Sequence, residues 1–322
     1  MSAVRVLYLA GSGRSGSTLI TTVLGQLDGF FAAGELRYLW QRGVAENRPC
    51  GCGVRFADCP FWASVMAEIP AAAPARIAAG LRTRLRMRAL PALLRRHDRG
   101  APALAAHPDD AVIAALYAAL AGETGAVIVD SSKLPPYGAL LGTLPGVELY
   151  VLHVVRDPRA TAFSWRRRRG LDGAADDRLM SRPPVWKAAL LWLVWNGATL
   201  RLWAGRPERY LRVRYEDFVA APAAVTRRIA RFAGPDPAEL PFPAPGVVRL
   251  AATHSVAGNP SRHRVGTVPI TDDAEWRARL SGRAYTVVTA VAAPLVRRFG
   301  YPVRRPRRPA AASGRRPNPQ EG

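Results

Sequence analysis

The sequence predicts an α/β fold, a three-layer sandwich in which helices cover both faces of a central parallel sheet and further helices are inserted between strands. Three observations carry this. Apolar runs of strand length alternate with longer stretches of helical composition, the pattern of strand–helix repeats that build a parallel sheet. A turn of small residues, GSGRSG, joins the first apolar run to the first helical one. Lys133, Arg156 and Tyr215 each follow a predicted strand, which puts them with that turn on the carboxyl rim, where open α/β sheets bind ligands.

The organising stretch is 4–24, VRVLYLAGSGRSGSTLITTVL. Its first seven residues read as a buried strand and Ser17 onward as a helix. Glycines let the connecting backbone curl without a Cβ clash, so that consecutive N–H groups point at one anion. Free N–H groups and the dipole at the helix start strengthen the attraction. The spacing Gly11-x4-Gly16 with Ser17-Thr18 is P-loop-like, but Ser17 stands where nucleotide hydrolases carry lysine, and the nearest cation is Arg14 in mid-loop. That favours a phosphorylated donor other than ATP or GTP. A glycine-rich structural turn and a degenerate kinase loop are the other readings of this motif.

The remaining elements follow in order. Residues 30–33 form a short strand ending at Gly34-Glu35, and CGCGVRFADCPFW then holds all three cysteines, Cys50, Cys52 and Cys59. With no histidine nearby and a C-x-C rather than C-x2-C spacing, zinc is left one ligand short, so small buried thiols and no metal are expected. Residues 67–121 are helical by composition, broken by prolines, with eight arginines among the leucines of 76–99. That basic part offers a peripheral membrane contact, a lid or simply a solvated helical face. Strands are predicted at 126–129, delivering Asp130-Ser131-Ser132-Lys133 to a loop, at 148–155, ending in Arg156-Asp157-Pro158, and at 209–214, ending in Tyr215-Glu216-Asp217. Between them 186–203 reads as a long tryptophan-bearing helix, and 222–233 as another that opens on a proline suited to its first turn.

Composition bounds the function classes. The 322 residues suit one large α/β domain, placed at 1–303 with helical inserts at 63–121 and 167–186 on the acceptor side, and a disordered basic tail at 304–322. The formal charge is +22, and Lys133 and Lys187 are the only lysines among 46 basic residues. Such a surplus favours anionic ligands. No nucleic-acid motif accompanies it, so no nucleic-acid partner is expected. The first apolar run is too short for a signal-peptide core, and the longest later run, 188–195, is far short of a membrane span. A cytoplasmic protein of undetermined oligomeric state is expected.

GSGRSGSTL resembles the 5′-phosphosulfate loop of the sulfotransferases that use 3′-phosphoadenosine 5′-phosphosulfate (PAPS), in their Arg-Ser-Gly branch of carbohydrate, tyrosylprotein and bacterial enzymes. VVRDPRATAFSW is similar to the family's 3′-phosphate motif, with Arg156 at the strand end and Ser164 eight residues on. A donor with anions at both ends needs two separate anion sites, and a guanidinium plus a hydroxyl suit the second. Arg168, four residues after Ser164, shares its helix face. RVRYEDF resembles a third family segment, in which Tyr215 matches a tyrosine that contacts the nucleotide in the tyrosylprotein branch, and HSVAGNPSRHR resembles the late closing loop, offering Ser255, Asn259, Arg262 and Arg264.

The resemblance implies sulfuryl transfer from PAPS, leaving adenosine 3′,5′-bisphosphate, to a hydroxyl or less readily an amine of a small-molecule, glycan or lipid acceptor, without a metal. Gly13, Arg14, Ser15, Gly16, Ser17 and Thr18 would hold the 5′ end of the donor. Arg14 would act by charge at the phosphate–sulfate bridge, Lys133 would contact the sulfuryl group, and Glu35 would be the base. His153, His254 and His263 are alternative bases, with His254 the best placed. A P-loop small-molecule kinase and a non-catalytic nucleotide- or anionic-lipid-binding protein remain as rivals at this stage.

Overall fold

The computed structural model of this chain describes residues 3–70, 73–167 and 183–304. Arg168 and most of the second expected insert lie outside them, as does the tail from 305 onward. Strand β1 (Val4–Ala10) leads into helix α1 (Ser17–Leu24) and strand β2 (Phe30–Gly34). Helices α2 (Pro60–Ala67), α3 (Pro74–Arg84), α4 (Leu90–Asp98) and α5 (Asp110–Thr124) precede β3 (Val127–Lys133). Then come α6 (Pro135–Leu141), β4 (Val147–Val155) and α7 (Pro158–Arg166). Helix α8 (Val185–Trp203), β5 (Tyr210–Arg214), α9 (Tyr215–Ala220) and α10 (Pro222–Ala233) follow. A hairpin of β6 (Val247–Leu250) and β7 (Gly266–Pro269), then α11 (Glu275–Arg279) and α12 (Gly282–Val296), complete the described chain.

Strands β1 to β5 form one parallel sheet in the order β2-β3-β1-β4-β5. Because side chains alternate across a strand, β1 feeds two cores. Val6, Tyr8 and Ala10 pack with Trp62, Tyr117, Leu140 and Trp203 on one face. Leu7 and Leu9 pack with Ile20, Leu24, Phe218 and Ile229 on the other. Each such buried aliphatic chain contributes about 1.5–3 kcal/mol, so the double-sided layer is dictated by the uninterrupted apolar run. The chain's progress reverses at β1, with β2 and β3 on one side and β4 and β5 on the other. A crevice therefore opens between the turn after β1 and the turn after β4.

Two differences from expectation have physical causes. Strand β3 continues through Lys133, with Tyr8 opposite Asp130 and Ala10 opposite Lys133. Its polar end stays in the sheet because its groups are satisfied there. Ser132 donates from N and Oγ to Asp130 Oδ1 at 2.8 and 2.6 Å, and Ser131 Oγ donates to the Gly34 carbonyl at 3.2 Å. In the arginine-rich segment, Leu81, Leu85, Leu90 and Leu93 are buried in the main core. Arg84 pairs outward with Asp110 at 2.6 Å, and Asp98, at the end of α4, holds Arg201 of α8 at 2.7 Å. Helix α12, which no motif announced, packs Val288, Ala292, Leu295 and Val296 into clusters shared with α8.

Two helical glycines should respond oppositely to alanine. At Gly138 in α6 a Cβ would sit 2.5 Å from Tyr8 Cε1, and the Tyr8 hydroxyl is tied to the Leu134 carbonyl at 2.8 Å, so the ring cannot easily retreat. Gly138→Ala should destabilise by about 1–3 kcal/mol despite its better helix propensity. At Gly122 in α5 a Cβ meets nothing within 4 Å, and Gly122→Ala should stabilise by about 0.5–1 kcal/mol. Urea midpoints measure both, and a shift of the same sign in the two variants would contradict the packing described.

Candidate active site

The turn after β1 is held by contacts that exclude side chains. Gly11 has φ 120° and a Cβ there would lie 2.4 Å from the Val154 carbonyl oxygen of β4. Gly16 has φ 86° and a Cβ would lie 2.2 Å from the Tyr215 ring. At Gly13 it would meet Trp165 at 2.8 Å. Among the described residues no side chain caps α1, so its first N–H groups lack an intramolecular partner of that kind, and Gly16, Ser17 and Thr18 line the crevice. Ser12 and Ser15 hydroxyls are buried and find no hydrogen-bond partner among the described residues. Backbone donors, buried hydroxyls and glycines at the three crowded positions of the turn fit a phosphate group. Arg14 adopts a left-handed backbone, φ 67°, and its guanidinium lies 5.2 Å from the Trp165 ring centre.

Glu35 follows β2, and Lys133 closes β3 in a second left-handed conformation, φ 65°. Such backbone in non-glycine residues is uncommon and clusters at functional sites. It turns the Lys133 ammonium onto Glu35 Oε1 at 2.7 Å and its own neighbour's carbonyl, Ser131 O, at 2.6 Å. Burial by itself raises the Glu35 pKa, but Lys133, by charge and hydrogen bond, with Arg37 and Arg42, outweighs it and holds the carboxyl below its ordinary value. Glu35 is thus an ionised, desolvated carboxylate. Its backbone is fixed too, since its N–H donates to the Val256 carbonyl at 2.8 Å. Beside it, Arg37 and Arg42 approach the Tyr38 ring to 4.0 and 3.8 Å. Both arginines and Tyr38 line the cleft, and they were not singled out in the sequence as site residues because nothing but proximity to Glu35 marks them.

Arg156 leaves β4 on the cleft wall, 6% exposed, with its guanidinium 3.3 Å from the Arg14 carbonyl and 4.7 Å from the Tyr215 ring. Its carbonyl accepts from the Trp192 indole at 2.8 Å. The turn into α7 is locked from below. Asp157 caps the helix by accepting from Arg159 N at 2.8 Å and holds the buried Arg159 guanidinium at 2.6 Å. Glu216 accepts from Asp157 N at 3.0 Å and from Tyr301 at 2.8 Å, which makes it a structural residue. Ser164 is buried on the cleft wall. Asp273 was missed by sequence reasoning. It meets Arg156 at 3.1 Å and Arg167 at 2.7 Å. Burial pushes its pKa up, but hydrogen bonds from Arg167 and Arg156 and their charges prevail and keep it ionised and low.

One cleft of about 350 Å³ brings these groups together. Its walls hold Gly13, Arg14, Gly16, Ser17 and Thr18 at the turn, Glu35 and Lys133 on one side, and Arg156, Ser164 and Tyr215 on the other. Trp165 and Trp195 join them. From the late loop, Gly258, Asn259, Ser261 and Arg264 reach the cleft, whereas Ser255 and Arg262 do not line it. Arg262 is buried, with hydrogen bonds to Pro49 O at 2.6 Å and to the Ser255 carbonyl. It holds the loop down rather than facing the cleft.

Two further expectations need correction. His254, the best-placed alternative base by sequence, does not line the cleft. Its Nδ1 lies 3.3 Å from Cys59 Sγ and 3.7 Å from Cys50 Sγ, so the cysteines do have a histidine, supplied from far along the chain. His153 is buried at the sheet between Tyr210 and Asn196, 2.7 Å from each, and burial holds its pKa down to about 4, so it stays neutral and structural.

No helix among the described residues is long and apolar enough to cross a membrane. Comparison with known proteins identifies the family and the fold. A sulfotransferase family model matches residues 7–238. The sulfotransferase domain from the curacin biosynthetic pathway superposes with a TM-score of 0.55 at 15% identity, over 94% of this chain and 99% of that one. The sulfotransferase domain of the Synechococcus PCC 7002 olefin synthase gives 0.55 at 20% identity, over 94% and 97%. Identities so low speak for the fold alone, and no curated protein matches in sequence. The family model, however, spans the glycine turn, Glu35, Lys133, Arg156 and Tyr215 together, and the chain belongs to the sulfotransferase family.

Proposed function

We propose that this protein transfers a sulfuryl group from PAPS to a hydroxyl group of its acceptor by in-line displacement. The observation that carries the reading is the meeting, in one cleft, of a bare N–H turn, an ionised Glu35–Lys133 pair and a second cationic site at Arg156. A ligand that suits all of this carries anions at both ends and an electrophile between them. The turn, with glycine wherever a Cβ would collide and with Ser17 and Thr18 on the cleft wall, fits its 5′ end.

The donor supplies a sulfuryl group already activated by its bond to phosphate. Residues 13–18 hold that phosphate through backbone N–H groups and hydroxyls, and Arg14 adds charge where negative charge gathers on the leaving side. Arg14 cannot readily release a proton near neutrality, so its part is electrostatic. Arg156 and Ser164 hold the 3′-phosphate, and Tyr215 packs against Arg156 beside the nucleotide. Glu35 accepts the acceptor's proton as the new oxygen–sulfur bond forms and the sulfur–phosphate oxygen bond breaks. Lys133, already ion-paired to Glu35, supplies positive charge to the sulfuryl oxygens. Asn259, Ser261 and Arg264 of the late loop flank the nucleotide.

Glu35→Gln keeps the size of the side chain but removes its proton affinity. It should cut turnover about a hundred- to ten-thousandfold while leaving bisphosphate binding near wild type. The pH profile adds a second check. With its folded pKa held low, Glu35 is deprotonated at all higher pH, and activity is lost only as pH falls through that low value. The acid limb of kcat/KM should lie below about pH 4.3, the ordinary glutamate value. A limb near pH 6.5 that survives Glu35→Gln would assign the base to a histidine.

Arg156→Ala should weaken adenosine 3′,5′-bisphosphate binding by about 2–4 kcal/mol, a charge-assisted bond or two. Asp273→Asn should act in the opposite sense, because the carboxylate competes with phosphate for the same guanidinium. A tightening of about three- to tenfold is expected, the scale of a partly exposed ion pair. Titration calorimetry reads both, and weaker binding in Asp273→Asn would make that carboxylate a support for Arg156 rather than its competitor.

A further inference from the structure

We propose that Cys50, Cys52, Cys59 and His254 form a closed structural zinc site that fastens the late loop beneath the cleft. Four potential ligand atoms, three Sγ and one Nδ1, lie within 4.8 Å of one another. Zinc bound tetrahedrally, at about 2.3 Å from sulfur and 2.0–2.1 Å from nitrogen, sets ligand–ligand edges near 3.8 Å for sulfur pairs and about 3.5 Å for sulfur–nitrogen pairs. Four of the six edges are of this length, and the two from Cys52 to Cys50 and to His254 stay within 4.8 Å. Cys59 Sγ is 3.8 Å from both Cys50 Sγ and Cys52 Sγ, and His254 Nδ1 is 3.7 and 3.3 Å from Cys50 and Cys59. The same sulfurs are far outside the length of a disulfide, about 2.05 Å.

The surroundings hold the ligands in place. Cys50 and Cys52 come from one tight turn, closed by Cys50 N to Val54 O at 2.7 Å and Gly53 N to Cys50 O at 2.9 Å. Cys59 precedes α2 and is fully buried, as is Cys50. Phe61, two residues on, stacks on the His254 ring at 4.7 Å and 12°. Trp62 Nε1 donates to the His254 carbonyl at 2.9 Å. Gly51 has no room for a side chain, since a Cβ would lie 2.4 Å from the Thr253 carbonyl oxygen. The Arg262 guanidinium bonds carbonyls next to two ligands, Pro49 O before Cys50 and Ser255 O after His254. Such outer partners orient metal ligands.

Four protein ligands leave no open position, so the metal is structural. Its effect on the cleft passes through the backbone. His254 leads to Val256, which pairs with Gly34, accepts from Glu35 N at 2.8 Å and donates to Ala33 O at 2.9 Å. The chain then runs on to Gly258 and Asn259 of the cleft wall. Zinc would thus tie the cysteine turn, the Glu35 backbone and the late loop into one unit, whichever nucleotide the cleft binds.

The test uses the full chain, reduced, carrying no metal-binding tag, and produced with zinc in the medium. Elemental analysis should find about one zinc per chain. Cobalt exchanged into the protein should show the intense visible bands and thiolate charge-transfer absorption of a tetrahedral sulfur-rich site. In competition with a chromophoric chelator, Cys52→Ser, the variant at the least buried thiol, should lose at least about tenfold in zinc affinity while keeping its fold by circular dichroism. Zinc below about a tenth of an equivalent together with no uptake on titration would overturn the proposal. So would a cobalt spectrum without thiolate absorption, or undiminished zinc in a Cys50→Ser, Cys59→Ser double variant.

Discussion

The carboxyl rim depends on how closely the turn at Gly16 approaches Tyr215. A single added carbon would stand 2.2 Å from that ring, well inside any van der Waals contact. Because the turn carries no side chain there, the start of α1 lies against the end of β5, while Gly11 presses on β4 and Gly13 on Trp165. Backbone donors of one strand and the Arg156 guanidinium of the next therefore face a common crevice. A bulkier turn would part them, and with them the two proposed anion sites.

Gathering so many cations in one cleft has an electrostatic cost that the protein meets with two carboxylates. Glu35 neutralises Lys133 at 2.7 Å, and Asp273 neutralises Arg156 and Arg167 at 3.1 and 2.7 Å. Ion pairs drawn from water gain little net stability, since desolvation offsets attraction. Their value lies in holding charge ready. The two differ in what binding asks of them. Glu35 is fixed by its own backbone bond to the late loop and is suited to stay. Asp273 precedes α11 on a segment that also lines a neighbouring cavity, and under the proposed chemistry it yields its cation to phosphate.

Much of this was legible in the sequence, for physical reasons. The seven apolar residues before the glycine turn admit burial on both faces, and α1 and α10 have the bounds that the turn and Pro222 imply. Lys133, Arg156 and Tyr215 were placed on one rim because parallel strands deliver their carboxyl ends together. What stayed hidden depends on pairings distant in sequence. Asp273 reaches Arg156 across 117 positions, and His254 reaches Cys59 across 195. No local spacing encodes either. The extension of β3 to Lys133 was hidden differently, because Asp130, Ser131 and Ser132 satisfy one another and Gly34 inside the sheet, where polarity alone suggested a loop.

Under the proposed chemistry this cleft accommodates a nucleotide with phosphate at both ends. Calorimetric titration of the wild-type protein with adenosine 3′,5′-bisphosphate and, separately, with adenosine 5′-monophosphate isolates the second site. If Arg156 and Ser164 receive a 3′-phosphate, the bisphosphate should bind at least about tenfold more tightly, the worth of one charge-assisted hydrogen bond. Equal affinities for the two nucleotides would contradict the account, and tighter binding of ATP than of the bisphosphate would return the cleft to the nucleoside triphosphate kinases.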